Sequence, residues 1–182
     1  MSPKSVPEFG SSVPDFTLPG ARGGEHTLSA LMEGKKGALV VFWSGVCSHC
    51  VRYDAYLNQF ESRWKDLALA VVASRHGETR DQIRNTMDER GIRFPVLHDG
   101  DGAIARQWAA TTTPTSFLLG TKRTLAYRGA IDNFKYPEDP EYAAWLEPAI
   151  ADFLAGRPIA RKETPGFGCA VQSVYYILPR HL

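Results

Sequence analysis

Two cysteines separated by two residues, Cys47-Ser48-His49-Cys50, are side chains whose type and spacing can do covalent chemistry. What they do depends on what holds them. Ala38–Trp43 is an apolar run of β-branched and aromatic residues, Ser44-Gly45-Val46 is a turn of small residues, and Tyr53, Leu57, Phe60 and Trp64 follow at spacings of four, three and four. The pattern predicts a buried strand, a tight connection, and a helix whose first turn carries the pair. At a helix N-terminus the unpaired backbone N–H groups and the positive end of the dipole favour a thiolate, so Cys47 becomes a nucleophile near neutral pH. Cys-x-x-Cys alone also fits a structural disulfide or half of a zinc site. A tetrahedral zinc site needs two more ligands, and neither a second Cys-x-x-Cys nor a spaced His pair occurs. With a strand before it and a helix after it, the pair reads as a redox dithiol.

The elements that must position this pair read as strands alternating with helices. Residues 1–12 read as a loose leader. Val13–Pro19 and Glu25–Leu28 flank a Gly-rich turn as a small hairpin, and Ser29 stands where it would cap a helical turn through Met32. Leu67–Ala73 is a second continuous apolar run, as expected of a strand buried on both faces. Thr79-Arg80-Asp81-Gln82 is a capping-box pattern opening a helix that turns Ile83 and Met87 inward and stops at Gly91. Phe94–His98 is a shorter extended piece, Asp99–Gly102 a turn and Ala103–Trp108 a short helix. Thr115–Leu119 and Thr124–Arg128 flank Gly120–Arg123 as a hairpin. A last amphipathic pattern, Tyr142, Trp145, Leu146, Ala149, Ile150, Phe153 and Leu154, ends at Gly156. Pro148 lies inside it, so either the helix kinks there or its regular part begins near that proline. The remainder has no clear period until the β-prone Ala170–Leu178. The expected organisation is a leader (1–12), one α/β domain (13–156) with a mixed sheet flanked by helices, and a tail (157–182) packed on or extending from it.

At 182 residues, 43% hydrophobic and 23% charged, the chain has the make-up of one globular domain with room for a proper core. The net charge is +1, and no block of basic residues points to nucleic acid or anionic membrane. No apolar run approaches the roughly 20 residues needed to span a bilayer. Met1–Pro7 carries no apolar core of a signal peptide. Three cysteines make a pair plus one rather than a disulfide scaffold.

Phe42–Cys50, followed about sixty residues later by Thr113-Pro114-Thr115-Ser116-Phe117-Leu118-Leu119, resembles the thioredoxin superfamily. More narrowly, it resembles the bacterial thiol–disulfide oxidoreductases and redoxins of the cytochrome c maturation and AhpC/TSA-like branch. Val13–Leu18 is similar to the lead-in segment of that branch and of peroxiredoxins. The resemblance covers about residues 13–156. It implies a thioredoxin fold with an N-terminal hairpin extension, and a cis proline at Pro114 beside the dithiol. It also implies that the Thr113 backbone is presented to an extended substrate segment, with Trp43 and Val46 bordering that site. Cys47 attacks, Cys50 resolves, and no cofactor is required. The implied partners are protein thiols or disulfides and an upstream redox protein, in an extracytoplasmic, periplasmic setting.

Three departures from the resembled proteins stand out. Val41 occupies the position of thioredoxin's buried acid. Tyr53, with Asp54 alongside, stands where the cytochrome-maturation branch has glutamate, and Ala55 where it has proline. The usual proton acceptor for the buried thiol is therefore replaced by water, by Tyr53, or by nothing. His49 is a substitution shared with the family's strong periplasmic oxidant. With Ser48, it is expected to tune Cys47: an imidazole close to the thiolate lowers the pKa toward the ~3.5–7 range of such motifs. Each pKa unit is worth about 1.4 kcal/mol, or about 30 mV for a two-electron couple. The expected potential lies above thioredoxin's ~−270 mV, between about −230 and −120 mV. The alternative is a solvated histidine without effect.

Cys169, in the glycine-rich stretch Gly166-Phe167-Gly168-Cys169, is a candidate third thiol: a resolving cysteine, an intermolecular link, or an unreactive packed side chain. Ser44 stands where a peroxiredoxin has threonine, but Val40 replaces the proline of that motif. His76, His98 and Asp99 fit no ligand spacing, and turn or surface roles suit them better than a metal site. Two other activities remain in view: a Cu(I)-binding metallochaperone-like module using Cys47 and Cys50, and a thiol peroxidase acting through Cys47.

Overall fold

The computed structural model describes residues 6–171. In chain order the elements are β1 (Thr17–Pro19), β2 (Glu25–Thr27), α1 (Leu28–Leu31), β3 (Gly37–Trp43), α2 (Ser48–Val51), α3 (Asp54–Arg63), β4 (Leu67–Ala73) and α4 (Arg80–Glu89). Then come β5 (Val96–His98), α5 (Ala103–Gln107), β6 (Thr112–Thr113), β7 (Thr115–Gly120), β8 (Leu125–Gly129), α6 (Leu146–Leu154) and β9 (Cys169–Ala170). β1 and β2 form the expected hairpin.

The central sheet has the order β5-β4-β3-β7-β8, with β3 parallel to β4 and antiparallel to β7. Every residue of β3 and β4 is buried, which explains why both read as unbroken apolar runs rather than alternating ones. Successive side chains of β3 serve opposite faces. Leu39, Val41 and Trp43 pack with Leu57, Phe60, Ile83, Met87, Leu146 and Ile150 from α3, α4 and α6. Ala38, Val40 and Phe42 pack with Phe16, Leu28, Ala105 and Trp108. On that second face Phe42, Trp108 and Phe117 meet edge-on, with ring centroids 5.3 to 5.9 Å apart, an arrangement the ring quadrupoles favour.

The capping box at Thr79 forms as read: its hydroxyl accepts from Gln82 N, and the Gln82 side chain accepts from Thr79 N. Other expectations are corrected. Ser29 is not a cap; it lies inside α1, whose preceding residue is Thr27, and Ser29 N donates to Asp15 Oδ1. The helix after the dithiol is two pieces, α2 and α3, parted at Arg52–Tyr53. Pro148 resolves in favour of a helix beginning near it. It is the third residue of α6, where a missing N–H costs no intrahelical bond, and Tyr142 and Trp145 lie outside the helix. The described part of the leader is tied down rather than loose: Gly10 N donates to Leu125 O, and Ser11 O accepts from Leu125 N. Of the β-prone Ala170–Leu178, everything beyond Val171 lies outside the described residues.

Candidate active site

The register of β7 on β3 explains why two distant motifs meet. Thr115 pairs with Phe42, so Thr113–Pro114 lies just past the C-terminal end of β3, where the chain turns into the dithiol. The Thr113–Pro114 bond is cis. Cys47 is the residue capping α2, extended at φ −84° and ψ 114°, and its sulfur lies 3.2 Å from the Thr113 carbonyl oxygen. Cys47 and Cys50 are 1% and 0% exposed, and both are free thiols.

The two sulfurs are driven in opposite directions. A hydrogen bond from the Cys50 thiol holds Cys47 down to about 4 against its burial, with further donors in the Cys169 thiol, the Thr113 side chain and the Cys169 backbone N–H. Burial pushes Cys50 far up, and the adjoining Cys47 sulfur adds to the rise. An acidic thiol beside one that keeps its proton is the arrangement of a nucleophile and its reserve.

The turn before Cys47 is braced by residues that sequence reasoning did not single out. Glu78, only 6% exposed, accepts from Ser44 Oγ at 3.0 Å and Gly45 N at 2.8 Å. A Cβ on Gly45 would come within 2.6 Å of Glu78 Oε1, so a side chain there would push the carboxylate off this contact. Arg90 donates through Nη1 to Gly45 O at 2.9 Å and through Nε to Asp54 Oδ2 at 2.7 Å, and its guanidinium lies over the Trp43 ring. Asp54 also accepts from Trp43 Nε1 at 3.4 Å. No local pattern marks Glu78 or the Asp54–Arg90 pair, since each partner comes from a different element.

Of the residues expected at the site, Cys47, Cys50, Thr113 and Pro114 come together. Val46, 62% exposed, stands at its rim, and Ser48 and His49 are exposed on α2. Trp43 is corrected: it is fully buried and faces Asp54 and Arg90, so it cannot border a substrate. The His49 ring meets Phe167 edge-on at 4.9 Å, while the groups acting most strongly on Cys47 are Cys50, Cys169 and Thr113. Tyr53 does not serve the buried thiol; its hydroxyl donates to Asp132. Asp99 and His98 have structural duties. Asp99 accepts from Ile104 N, Ala105 N and Ser74 Oγ, and His98 Nε2 meets Glu78 O. Among the described residues no three His, Cys, Asp or Glu side chains are grouped to hold a metal ion, and no helix is long and apolar enough to cross a membrane.

Cys169 is the arrival that the sequence left open. β9 pairs antiparallel with β6, setting Cys169 opposite Thr113, and Cys169 packs against the cluster containing Cys47 and Cys50. Burial and the Cys47 sulfur both raise its pKa.

Known proteins place this architecture. The chain is 28% identical to the thiol-disulfide oxidoreductase ResA of Geobacillus kaustophilus over 116 residues, 64% of this chain and 66% of that protein. The match thus spans just under two thirds of that relative's length. A hypothetical protein from Sinorhizobium meliloti superposes with a TM-score of 0.82 at 26% identity, covering 93% of this chain and 97% of that one. A putative thiol:disulfide interchange protein DsbE from Chlorobium tepidum gives 0.66 at 24%, covering 82% and 99%. The fold is the thioredoxin fold. Residues 9–128 match the AhpC/TSA family, and the chain belongs to that family.

Proposed function

We propose that the protein is a thiol–disulfide oxidoreductase that exchanges disulfides with protein thiols through Cys47 and Cys50. The observation that carries this reading is the placement of Cys47 at the start of α2, its sulfur 3.2 Å from Thr113 O beside the cis Pro114, with Cys50 buried one turn on; the opposed acidity of the two sulfurs agrees with it. Cys47 forms or receives the mixed disulfide, Cys50 resolves it, and Thr113–Pro114 supplies backbone for an extended segment laid beside the pair. The couple is relatively oxidising, because holding Cys47 near 4 stabilises the reduced form. Against a thioredoxin thiol near 7, about three pKa units at about 30 mV each raise the potential from ~−270 mV to about −180 mV. His49, whose ring lies against Phe167, is not among the groups acting most strongly on Cys47. Such a couple suits an oxidising, extracytoplasmic compartment and needs an upstream redox protein to recharge it.

The thiol peroxidase reading has the family match in its favour. Against it, Ser44 donates its hydroxyl to Glu78. The deciding measurement is the equilibrium of Cys47–Cys50 against a glutathione series in the Cys169→Ser protein, followed by tryptophan fluorescence. A potential above about −200 mV is expected. One at or below about −270 mV refutes the oxidising couple and points to a reductase, while rapid peroxide consumption dependent on Cys47 favours the peroxidase.

A further inference from the structure

The edge of Thr113 that would receive a substrate strand is already taken, and by this chain. β9 pairs with β6, Val171 N donates to Thr111 O at 2.9 Å, and Thr113 Oγ1 lies 3.4 Å from Cys169 O. Gly168 rides so close to the loop that an added Cβ would stand 2.0 Å from Thr113 O and 3.3 Å from Pro114 N. Its φ of +139° also disfavours any side chain. Phe167 lies against His49. The stretch Gly166-Phe167-Gly168-Cys169 is therefore shaped to this groove, and it sets Cys169 opposite Thr113, whose carbonyl oxygen the Cys47 sulfur meets at 3.2 Å. Thr113 is only 3% exposed beneath it. Cys47 and Cys50 are shut from solvent, and Cys169 alone of the three cysteines is partly exposed.

We propose that the tail strand is a built-in substrate and that Cys169 is a third redox-active thiol, forming a disulfide with Cys47 through which the buried pair exchanges with outside thiols. This rests on the reading of Cys47–Cys50 as an exchange-active pair. In the oxidised protein the Cys169 thiolate attacks the Cys47 sulfur. The Cys47–Cys169 bond forms as the Cys47–Cys50 bond breaks, and Cys50 leaves as a thiolate that takes up the proton Cys169 gave up. The chain gains and loses no electrons in this step. A partner thiolate then attacks the Cys169 sulfur, expelling Cys47. Cys47 is the most acidic of the three thiols and so the best leaving group. A second thiol of the partner displaces Cys169, leaving the partner oxidised by two electrons and the chain reduced by two. With its bond to Cys47 broken, the tail is free to leave the groove.

The experiment traps the intermediate in the full chain. Cys50→Ser protein is treated with oxidised glutathione, quenched in acid and digested without reduction for mass spectrometry. The expected product is a Cys47–Cys169 peptide pair within one chain; glutathione adducts alone, or linkage only between chains, overturn the proposal. Gly168→Val in the same background should abolish the pair and speed alkylation of Cys47 in reduced protein several-fold; leaving both unchanged overturns it. Should Cys50→Ser not fold, Cys169→Ser takes its place, with oxidation of a reduced two-cysteine peptide as the readout. A several-fold slower rate than wild type, with the Cys47–Cys50 disulfide still forming, supports the relay. An equal or faster rate overturns it while leaving the exchange-active pair intact. Failure of Cys47–Cys50 to form at all overturns the underlying reading, and the relay with it.

Discussion

Neutralising Asp54 tests whether the Asp54–Arg90 pair holds the active-site turn in place. The side chains of Arg90 and Asp54 are 17% and 10% exposed, so solvent screens them weakly. Burial pushes the Asp54 carboxyl up in spite of Arg90. Desolvation therefore outweighs the attraction, and the pair as a unit contributes little compared with an apolar pair of similar volume. Removing one partner is a different matter. Asp54→Asn leaves the Arg90 charge buried and uncompensated, and strips charge from the oxygen that accepts both Nε and Nη2. The expected cost is about 3–5 kcal/mol. At roughly 2–4 °C per kcal/mol for a domain of this size, the melting temperature falls by about 6–20 °C. The double change Asp54→Leu with Arg90→Met should recover most of the loss, to within about 1.5 kcal/mol of wild type. Urea unfolding of the single and double variants, read by tryptophan fluorescence, gives the coupling energy. A single-variant cost below about 1 kcal/mol with additive behaviour in the double would refute the argument, because that is how a solvent-screened pair behaves.

Three further outcomes follow from other contacts. With Cys47 near 4 instead of its ordinary 9.0, its alkylation rate in reduced protein should be flat from about pH 6 to 8 and fall through about pH 4, as iodoacetamide kinetics would show. Because the folded value is the depressed one, the same ionisation stabilises the reduced fold increasingly from about pH 4 upward and is lost as pH falls through that value. Asp99→Ala removes the acceptor of Ile104 N, Ala105 N and Ser74 Oγ at a site 2% exposed. It should cost about 1–3 kcal/mol by calorimetry, as buried donors lose their partner; no change would mean those donors find other acceptors.

Much of the fold was legible because its signals are local. The unbroken apolar runs of β3 and β4, the Thr79–Gln82 capping box and the strand–turn–helix around Cys47 each sit within about a dozen residues. The redox pair and Thr113–Pro114 could be joined only by resemblance, since the register that brings them together depends on β7 folding back on β3. What stayed hidden depends on distance. β9 is two residues long and gains its meaning from Thr112–Thr113, more than fifty residues earlier. Glu78 lies one residue before a helix cap, and nothing around it announces that it will hold Gly45. Tyr142 and Trp145 matched a helical period because they are apolar, yet a proline at the third position fixes the start of α6 after them. Trp43 stands beside the dithiol in sequence, yet as the last residue of β3 it turns into the core.

The borders of the central sheet bear on how the protein behaves when crowded. An open strand edge offers unpaired N–H and C=O groups to any passing chain and so seeds polymerisation. Here β8 is flanked by Gly10–Val13 at one end, and at the other by Lys162 and Thr164, whose backbones bond to Arg128. β5, on the opposite border, has Ala21 N on Val96 O and Gly20 bridged to Leu97. All of these guards are short and irregular, so they close the edge without becoming a new one. Segments outside the central sheet thus act as selvedges, keeping a sheet rich in valine and leucine from templating its own copies.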